Sequence, residues 1–275
     1  METRIHITGA SGFIGSELYK YLKFNKYNVI GYSRNKNTKL TKVNSYKDIK
    51  GSKNDILIHL AQPANTKKKI NNLDIINNIE VSKTLGSIKW KHIIYLSSTN
   101  LYKKNTRNND EKSKIDFQIF KYKKEFYNLI KAESEKIFLE KGASILRLSN
   151  VYGKTMSKET LFMQIINQIK NDQIIVNDQR PIRDYIFIED VLSAIELFIN
   201  KNKKGIYNIN YGKSYSVKEI VYLIFKILNI EKKLISKDIL DSDAVYVDNN
   251  KVHNLFKWRP CINLENGLKK ILNEK

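Results

Sequence analysis

The stretch from Thr8 to Ser16, TGASGFIGS, restricts the choice of fold more than any other part of the chain. It follows the apolar run RIHI and opens an amphipathic segment, FIGSELYKYLKF, so a strand is predicted to end and a helix to begin here. Gly9, Gly12 and Gly15 lie within this stretch, although the whole chain of 275 residues has only 11 glycines. The pattern predicts a strand-to-helix turn with an unusual backbone.

A phosphate group fits such a turn for two physical reasons. Glycine adopts positive φ without strain, and its missing Cβ lets the backbone pass close to a pyrophosphate. The unpaired N–H groups and the dipole of the helix N-terminus favour a negative charge. The stretch therefore predicts a phosphate-binding turn. A tight turn whose glycines only pack the helix on a sheet is the alternative interpretation.

The first half of the chain alternates short apolar runs with segments of helical periodicity. The runs are RIHITG, YNVIGYS, DILIHLA, HIIYLSS and SILRLSNVYG. This alternation predicts an α/β fold, with a parallel sheet covered by helices on both faces. Ligands bind beyond the carboxyl ends of the strands in such sheets. The small or polar residues that end the runs are therefore expected along one crevice: Gly9, Ser33, Ala61, Ser97, Ser98 and Asn150.

Beyond Gly153 the pattern is mixed. ETLFMQIINQIKN, IEDVLSAIELFINK and SVKEIVYLIFKILNI are predicted helices, and GIYNINYG is a predicted strand that returns to the sheet. Ser216 and Glu219 match the capping-box pattern at the start of the third helix. Pro260 marks a loop before a terminal helix. These features indicate a smaller mixed region towards the C-terminus.

The chain is strongly basic, with 49 Lys and Arg residues against 28 Asp and Glu and a formal net charge of +21. Such a charge attracts phosphate whatever the sequence around it. Arginine is scarce, however, and the lysines are scattered over helix faces without an arginine-rich arm or an aromatic-basic stripe. We therefore expect no specific nucleic-acid partner, and the charge suits a small anionic substrate.

Cys261 is the single cysteine, which excludes an internal disulfide framework and a multi-cysteine metal site. No histidines pair at metal-ligand spacing, so no metal is expected; His6 and His59 lie in predicted buried strands, and His92 and His253 are expected at the surface. No run reaches the ~18 to 20 apolar residues that span a bilayer, and no basic and then hydrophobic leader opens the chain. We expect a cytoplasmic protein without membrane contact.

Tyr127 and Lys131, in YNLIKAESEK, lie four residues apart and hence on one face of a predicted helix. An ammonium stabilises a neighbouring phenolate, so Lys131 is expected to lower the pKa of Tyr127 and to make it a proton donor near neutral pH. Ser98 ends a predicted strand upstream, where its hydroxyl can bind the same substrate oxygen. Together the three side chains predict a proton-transfer site.

Several ordered motifs resemble those of the extended short-chain dehydrogenase/reductase family, in its nucleotide-sugar epimerase, dehydratase and reductase branch. They cover nearly the whole chain: TGASGFIGS, DILIHLA, Asn78 in NNIEVS, YLSSTNLY, YNLIKAESE, LRLSNVYG, RDYIFIEDV, YNINYG and WRPCINLENGL. The resemblance implies a Rossmann-type doubly wound parallel sheet. It also implies a dinucleotide-binding domain over residues 1–152, to which residues 181–212 return, and a smaller substrate-binding region over residues 153–180 and 213–275.

The resemblance assigns roles to particular residues. Ser98, Tyr127 and Lys131 would carry catalysis, and Lys131 would also reach the cofactor ribose. The cofactor would lie against Gly9, Ser11, Gly12, Phe13, Ile14, Gly15, Ser33, Arg34, Leu60, Ala61 and Lys131. The nucleotide-sugar substrate would lie against Ser98, Thr99, Asn150 and Arg183.

Arg183 suits this role physically, because a guanidinium grips a diphosphate through two parallel hydrogen bonds. A surface ion pair between Arg183 and the nearby Asp184 or Glu189 is the alternative. The family also commonly forms homodimers, and the helices near residues 75–88 and 121–140 are expected to supply the contact.

The end of the second predicted strand bears on the cofactor. Relatives that use NAD carry an acidic residue there, which binds the ribose 2′-hydroxyl. This chain has GYSRN, in which Ser33 and Arg34 offer a hydroxyl and a cation that suit a 2′-phosphate. NADP(H) is therefore favoured and NAD(H) is the alternative. An Arg34 that only stacks on adenine is the other interpretation of that residue.

The residues after Ser98 limit which of the family's reactions is expected. Family dehydratases have an Asp-Glu pair there, whereas this chain has Thr99 and Asn100, so water loss is not expected. Relatives resembling GDP-fucose synthase need a cysteine close to the catalytic serine, but Cys261 lies near the C-terminus. The resemblance then leaves reduction or epimerisation at C4 of the sugar.

The leading hypothesis is NADPH-dependent reduction of a nucleotide-activated 4-keto-6-deoxy sugar for surface-polysaccharide synthesis. Tyr127 would protonate the oxygen, and the resemblance implies transfer of the 4-pro-S hydride. An NAD-dependent nucleotide-sugar 4-epimerase is the second hypothesis. A non-catalytic dinucleotide-binding or nucleic-acid-associated protein on the same fold is the third.

Two segments depart from the family pattern. Gln62 and Pro63 stand after HLA, where small residues are usual, and LYKKN replaces the usual Tyr-Gly ending after the catalytic strand. The first departure is expected to reshape the nicotinamide pocket.

Overall fold

The structure is a computed structural model in which residues 3–35, 39–62, 71–106, 108–115, 125–237 and 243–273 are described. Pro63 and residues 121–124 of the expected dimer helix lie outside these ranges. The chain divides into two compact units. Unit 1 contains Met1–Leu101, Lys114–Leu148 and Leu192–Tyr207, and unit 2 contains Tyr102–Ser113, Ser149–Val191 and Asn208–Lys275.

Strands and helices alternate through the first half of the chain, as predicted. The strands are β1 (Ile5–Thr8), β2 (Val29–Ser33), β3 (Thr41–Lys42), β4 (Ile56–His59), β5 (His92–Ser98), β6 (Ser144–Leu148), β7 (Asn150–Tyr152), β8 (Gln173–Val176), β9 (Ile182–Phe187), β10 (Gly205–Ile209), β11 (Ser214–Ser216) and β12 (Lys233–Ser236). The helices are α1 (Phe13–Phe24), α2 (Asn72–Ser87), α3 (Glu125–Glu140), α4 (Leu161–Asn167), α5 (Ile188–Lys201), α6 (Val217–Leu228), α7 (Asn250–Phe256) and α8 (Leu264–Leu272). Short 3-10 turns lie at Tyr46–Asp48 and Thr99–Leu101.

Seven strands form the main sheet, in the order β10-β6-β5-β4-β1-β2-β3. The pairings from β3 through to β6 are all parallel. Thr8 pairs with both Tyr32 and His59, so the carboxyl ends of β1, β2 and β4 meet at one edge. The order β3-β2-β1-β4-β5-β6 is that of a Rossmann sheet. The predicted doubly wound parallel sheet is confirmed.

Helices cover both faces of this sheet. Tyr32 of β2 clusters with Leu85 of α2 and Phe138 of α3. The preceding residue, Gly31, faces the other side, where an added Cβ would lie 2.9 Å from Tyr19 of α1. Since successive strand residues point to opposite faces, α1 lies opposite α2 and α3. This arrangement buries the apolar side chains on both sides of the strands.

Local capping explains where α6 begins. The Ser216 hydroxyl accepts a hydrogen bond from Glu219 N at 3.2 Å, and a Glu219 carboxylate oxygen accepts one from Ser216 N at 2.6 Å. The two side chains thus satisfy N–H groups that the first helical turn leaves unpaired. The capping box predicted from the sequence is confirmed.

The run SILRLSNVYG forms two strands, whereas the sequence predicts one. β6 ends at Leu148, whose partner in β5 is Ser98, the last residue of that strand. The next main-chain N–H, that of Ser149, donates at 3.1 Å to Ile209 O of β10, on the side of β6 away from β5. β7 then pairs with β9 in a three-stranded sheet of order β11-β9-β7.

Unit 2 has an aromatic core around Tyr152. The Tyr152 ring centre lies 4.9 Å from that of Phe162 and 5.2 Å from that of Phe187. Gly267 of α8 packs against the same ring, since an added Cβ would overlap the Tyr152 hydroxyl. A mixed three-stranded sheet, a parallel two-stranded sheet and α4, α6, α7 and α8 build the rest of this unit.

The structure confirms two histidine predictions and corrects a third. His6 and His59 are buried in β1 and β4, where Tyr32 and Thr8 hydroxyls lie 2.9 and 2.7 Å from their Nδ1 atoms. His92, expected at the surface, is buried in β5, because its Nε2 has a polar partner in the Ser144 hydroxyl at 2.9 Å. Among the described residues, no helix is both long enough and apolar enough to cross a membrane.

Candidate active site

The glycine-rich turn has the geometry that the sequence predicts. Gly9 follows β1 with φ of +70°, in the left-handed region that favours glycine. Gly12 N donates to Gly9 O at 3.0 Å, and α1 begins at the next residue. A Cβ on Gly15 would overlap the Gly9 carbonyl, so this glycine lets α1 pack on the turn. Gly12 provides no side-chain cap, and the first N–H groups of α1 stay available to an anion.

The loop after β4 lies directly beside this turn. Thr8 Oγ1 accepts hydrogen bonds from Leu60 N at 3.1 Å and from Ala61 N at 3.3 Å. An added Cβ on Gly9 would lie 2.9 Å from Ala61 N. Leu60 and Ala61 are therefore brought against Gly9.

The end of β2 carries a hydroxyl and a cation. Ser33 is fully buried, and its hydroxyl donates to Ser11 Oγ at 3.1 Å. The Arg34 guanidinium lies 5.6 Å from the centre of the Tyr46 ring, and the Gly9 backbone is near enough to the Tyr46 hydroxyl to oppose the rise in its pKa that burial causes. Sequence reasoning missed Tyr46, which connects Arg34 with the glycine-rich turn.

Ser98, Tyr127 and Lys131 lie together at the carboxyl end of β5. Tyr127 is in the first turn of α3, near enough to the Ser98 hydroxyl for that group to act on the pKa of the phenol. The Lys131 Nζ lies one turn further along, 5.8 Å from the centre of the Tyr127 ring. Asn128 Nδ2 donates to Asn100 O at 3.3 Å and fastens α3 to the end of β5. Thr99 follows Ser98 and is buried.

Lys131 is a buried amine without an ordinary aqueous environment. It is 6% exposed, donates to Leu96 O at 2.6 Å and lies 5.0 Å from the centre of the Tyr95 ring. Burial lowers the pKa of Lys131 to about 7, against the opposing influence of the Glu135 carboxylate. The amine therefore changes charge close to neutral pH.

The expected lowering of the Tyr127 pKa is not found. Burial raises the pKa of Tyr127, and the nearby Ser98 hydroxyl only partly opposes that change. The Lys131 amine donates to the Leu96 carbonyl and has a pKa of about 7, so near neutral pH it carries only part of a positive charge to oppose the effect of burial. Tyr127 is thus a neutral phenol, a proton donor.

Two polar contacts behind these residues escaped the sequence analysis. Glu135 accepts two hydrogen bonds from Arg147, at 2.9 and 2.6 Å, in a fully buried ion pair. Gln62 Nε2 donates to Ser134 Oγ at 2.7 Å, and the Gln62 carbonyl accepts from the Tyr95 hydroxyl. The available signal was polar residues at inward positions of the YNLIKAESEK helix. Gln62, noted only as a departure, therefore ties the β4 loop to α3 and β5.

Unit 2 holds the other two expected substrate residues. Asn150 Nδ2 donates to Asp184 O at 3.1 Å, and Asn150 pairs with Tyr185 between β7 and β9. Arg183 of β9 donates from Nη1 to Ile182 O at 2.8 Å, and its guanidinium forms an ion pair with Asp243. Both side chains are thereby fixed on the small sheet.

The alternative prediction, an ion pair of Arg183 with Asp184 or Glu189, is wrong. Asp184 follows Arg183 in β9, and successive strand residues point to opposite faces. Its carboxylate is buried and accepts hydrogen bonds from the N–H groups of Tyr211 at 2.9 Å and Gly212 at 2.7 Å. Glu189 pairs with Lys270 instead, at 2.6 Å.

Comparison with known proteins finds a matching family, similar sequences and similar solved structures. The profile of the family described as NAD dependent epimerase/dehydratase matches residues 5–210. A putative UDP-glucose 4-epimerase of Methanocaldococcus jannaschii is 28% identical, over 98% of this chain and 97% of its own. The GDP-6-deoxy-D-mannose reductase of Pseudomonas aeruginosa is 22% identical, over 100% and 97%. The solved structure of MoeE5 in complex with UDP-glucuronic acid and NAD has a TM-score of 0.84 at 18% identity and covers 97% of each chain.

The family match begins in β1 and ends just after β10, so it spans the whole main sheet and the glycine-rich turn. It also includes Ser98, Tyr127, Lys131, Asn150 and Arg183. The chain therefore belongs to the NAD-dependent epimerase/dehydratase family, which contains nucleotide-sugar epimerases, dehydratases and reductases.

Proposed function

We propose that this protein is an NADPH-dependent reductase of a nucleotide-activated 4-keto-6-deoxy sugar. The observation that carries the proposal is the grouping of Ser98, Tyr127 and Lys131 at the carboxyl end of β5. Proton transfer to a carbonyl oxygen needs a positioned donor in its neutral form. Tyr127 meets this need because burial raises its pKa. The similarity to a GDP-6-deoxy-D-mannose reductase supports the same reaction class.

The residues of unit 1 fit a dinucleotide with a 2′-phosphate. The uncapped start of α1 suits a pyrophosphate, because its N–H groups and helix dipole favour negative charge. Arg34 at the end of β2 provides a cation, and residues 33–35 contain no carboxylate to repel a phosphate. The chemistry supplied by reduced nicotinamide, when bound, is a hydride for the carbonyl carbon.

Each residue of the group has a distinct task in this reduction. Tyr127 donates its hydroxyl proton to the carbonyl oxygen as the C–O double bond becomes a single bond. Ser98 donates a hydrogen bond to the same oxygen and stabilises its developing negative charge. Lys131, in its protonated form, stabilises the phenolate left on Tyr127, which then regains a proton from solvent. Ketone, hydride and proton together give the alcohol.

In unit 2, Asn150 and Arg183 are proposed to bind the nucleotide sugar. Arg183 is held by the Ile182 and Asp243 carbonyls at 2.8 and 2.9 Å, so little side-chain freedom is lost when an anion binds. Thr99 and Asn100 follow Ser98 and have no carboxyl group, which argues against a dehydratase.

The direct test is oxidation of NADPH by purified protein in the presence of each of a panel of nucleotide 4-keto-6-deoxy sugars. We expect the absorbance of reduced nicotinamide to fall with one of them, and the alcohol to appear by mass spectrometry with a gain of two hydrogens. Protein that binds NADPH yet turns over none of these sugars would count against the proposal.

A nucleotide-sugar 4-epimerase is a second candidate, because the similar protein of Methanocaldococcus jannaschii is described as a putative UDP-glucose 4-epimerase. An epimerase must keep its cofactor and return the hydride to the same sugar. Denaturing the purified protein and identifying the released nucleotide separates the two functions. Stoichiometric NAD, together with interconversion of UDP-sugars without added cofactor, would favour the epimerase.

A further inference from the structure

Lys104 lies in LYKKN, the segment that departs from the family pattern. Its Nζ is 2.5 Å from one carboxylate oxygen of Asp243, and the Arg183 guanidinium pairs with the other oxygen. One carboxylate in unit 2 thus joins two cations from separate segments of the chain.

Backbone contacts hold these segments in register. Asn105 N donates to Ala244 O at 2.7 Å, and the Asn105 side-chain carbonyl accepts from Ala244 N at 2.8 Å. On the other side, Ile182 N donates to Asp243 O at 3.0 Å, and Val245 N donates to Ile182 O at 3.2 Å. These main-chain hydrogen bonds bring residues 104, 183 and 243 together. The position of Lys104 beside Asp243 is therefore set by the backbone as well as by its own side chain.

The charges of the three side chains do not cancel. Lys104 is 46% exposed, Arg183 is 19% exposed and Asp243 is 15% exposed. Burial alone would raise the pKa of Asp243, but the Lys104 hydrogen bond and the Arg183 charge outweigh it and hold that pKa below its ordinary value. With Asp243 ionised, the group keeps one positive charge in excess near neutral pH. Because Arg183 is largely shielded from water, that charge is poorly screened there.

A diphosphate matches this arrangement better than a single carboxylate does. It carries more than one negative charge and several acceptor oxygens, so a planar guanidinium and a compact ammonium can bind it together. We propose that Lys104 is a second diphosphate-binding cation, which Asp243 holds beside Arg183, and that the pair binds the diphosphate of the nucleotide-sugar substrate. The proposal rests on the proposed function and adds a residue that sets its substrate class.

The test compares Lys104→Met with Lys103→Met. Lys103 is the adjacent residue, is exposed and carries the same charge, so the two variants change the net charge equally. Calorimetric titrations with UDP, GDP, CDP, dTDP and ADP identify the nucleoside diphosphate that wild-type protein binds. We expect Lys104→Met to weaken that affinity about tenfold and Lys103→Met to change it less than about twofold. Lys104→Arg should retain most of the affinity.

Two further measurements separate charge recognition from a general loss of structure. The salt dependence of the affinity should become shallower in Lys104→Met and stay unchanged in Lys103→Met. The affinity for NADPH should be the same in wild type and both variants, because the proposed cofactor residues lie in unit 1.

The outcomes also distinguish this proposal from the proposed function. Equal diphosphate affinities of Lys104→Met, Lys103→Met and wild type would overturn the role of Lys104 and leave the reductase proposal standing. Failure of wild-type protein to bind any of the nucleoside diphosphates would overturn both.

Discussion

The two ends of the main sheet in unit 1 both bury charged side chains, but the consequences differ. At the amino ends of β1 and β4, Asp55 accepts hydrogen bonds from Arg4 at 3.1 and 2.9 Å and from Ser52 Oγ at 2.8 Å. Tyr32 and His6 contact each other at 2.9 Å. We call Arg4, His6, Tyr32, Ser52 and Asp55 the amino-end cluster. Burial would raise the pKa of Asp55, yet the hydrogen bonds from Arg4 and Ser52 bring it down to about 2.

At the carboxyl ends, the carboxyl-end cluster of Ser98, Tyr127 and Lys131 is arranged in the opposite way. The Lys131 amine donates to a backbone carbonyl, and the nearby Glu135 carboxylate is engaged by Arg147. Burial therefore prevails and lowers the pKa of Lys131 to about 7. The amino-end cluster stabilises the buried charge of Asp55, whereas the buried charge of Lys131 in the carboxyl-end cluster destabilises the fold. The second situation is typical of functional sites.

Removing one hydroxyl from each cluster gives the largest expected contrast. Tyr127→Phe should lower kcat by about 10³-fold or more, because the proton donor is lost. Tyr32→Phe removes a hydroxyl that contacts His6 and should leave kcat within about twofold, with a loss of about 1 kcal/mol of stability. Steady-state kinetics and chemical denaturation of both variants test this. Comparable activity of the two variants would contradict the catalytic assignment.

Asp55→Ala tests the stabilising character of the amino-end cluster. The free energy of unfolding should fall by about 2 to 3 kcal/mol near pH 7, because Arg4 and His6 lose their buried partner. The folded-state pKa of Asp55 is lower than its unfolded value, so its contribution is present above about pH 4 and is lost as the pH falls towards 2. Urea titrations from pH 7 to pH 3 give the free energies of unfolding of wild type and variant, and these should approach each other as the pH falls. A constant difference would refute an ionic origin of the Asp55 contribution.

Arg34→Ala examines the cofactor end of unit 1. The proposed contact with a 2′-phosphate predicts that the Kd of NADPH rises about tenfold while that of NADH stays the same. Lys42→Ala, at an exposed position on the neighbouring β3, is the matched loss of charge. Fluorescence titration of reduced nicotinamide reports both constants. If NADH and NADPH weaken equally, Arg34 acts on adenine or on the fold and not on the phosphate.

Lys131→Met should produce the smallest change and the opposite sign from Asp55→Ala. The folded-state pKa of Lys131 is lower than its unfolded value, so its charge destabilises the fold fully below about pH 7 and less as the pH rises towards that of a free lysine. The variant should be more stable by about 1 kcal/mol at pH 6, with a smaller gain at pH 9. Lys136→Met, exposed on the same helix, is the control. Loss of stability at pH 6 would mean that the amine is stabilised in place.

Local patterns predicted much of this molecule and failed where distant segments meet. The glycine-rich turn, the parallel strands and the Ser216 cap follow from residues close together in the chain. The partner of Arg183 does not, because strand alternation turns Asp184 away and Asp243 lies 60 residues further on. Gln62 and Ser134 are 72 residues apart, so the sequence around either residue does not predict their contact. The carboxyl-end cluster was predicted from spacing, but the pKa direction of Tyr127 depends on burial, which spacing does not reveal.

The strict pairing of β5 with β6 has a consequence for how the chain can change in length. Ser98 pairs with Leu148 at the last position of the ladder. One extra residue inserted within β5 would move every later side chain to the opposite face of the sheet and carry the Ser98 hydroxyl away from Tyr127. Point substitutions within β5 leave the alternation of side chains between the two faces intact, whereas a single-residue insertion or deletion reverses it for every later residue of the strand. Viable length variants of this protein should therefore have their extra or missing residues in the segments between strands.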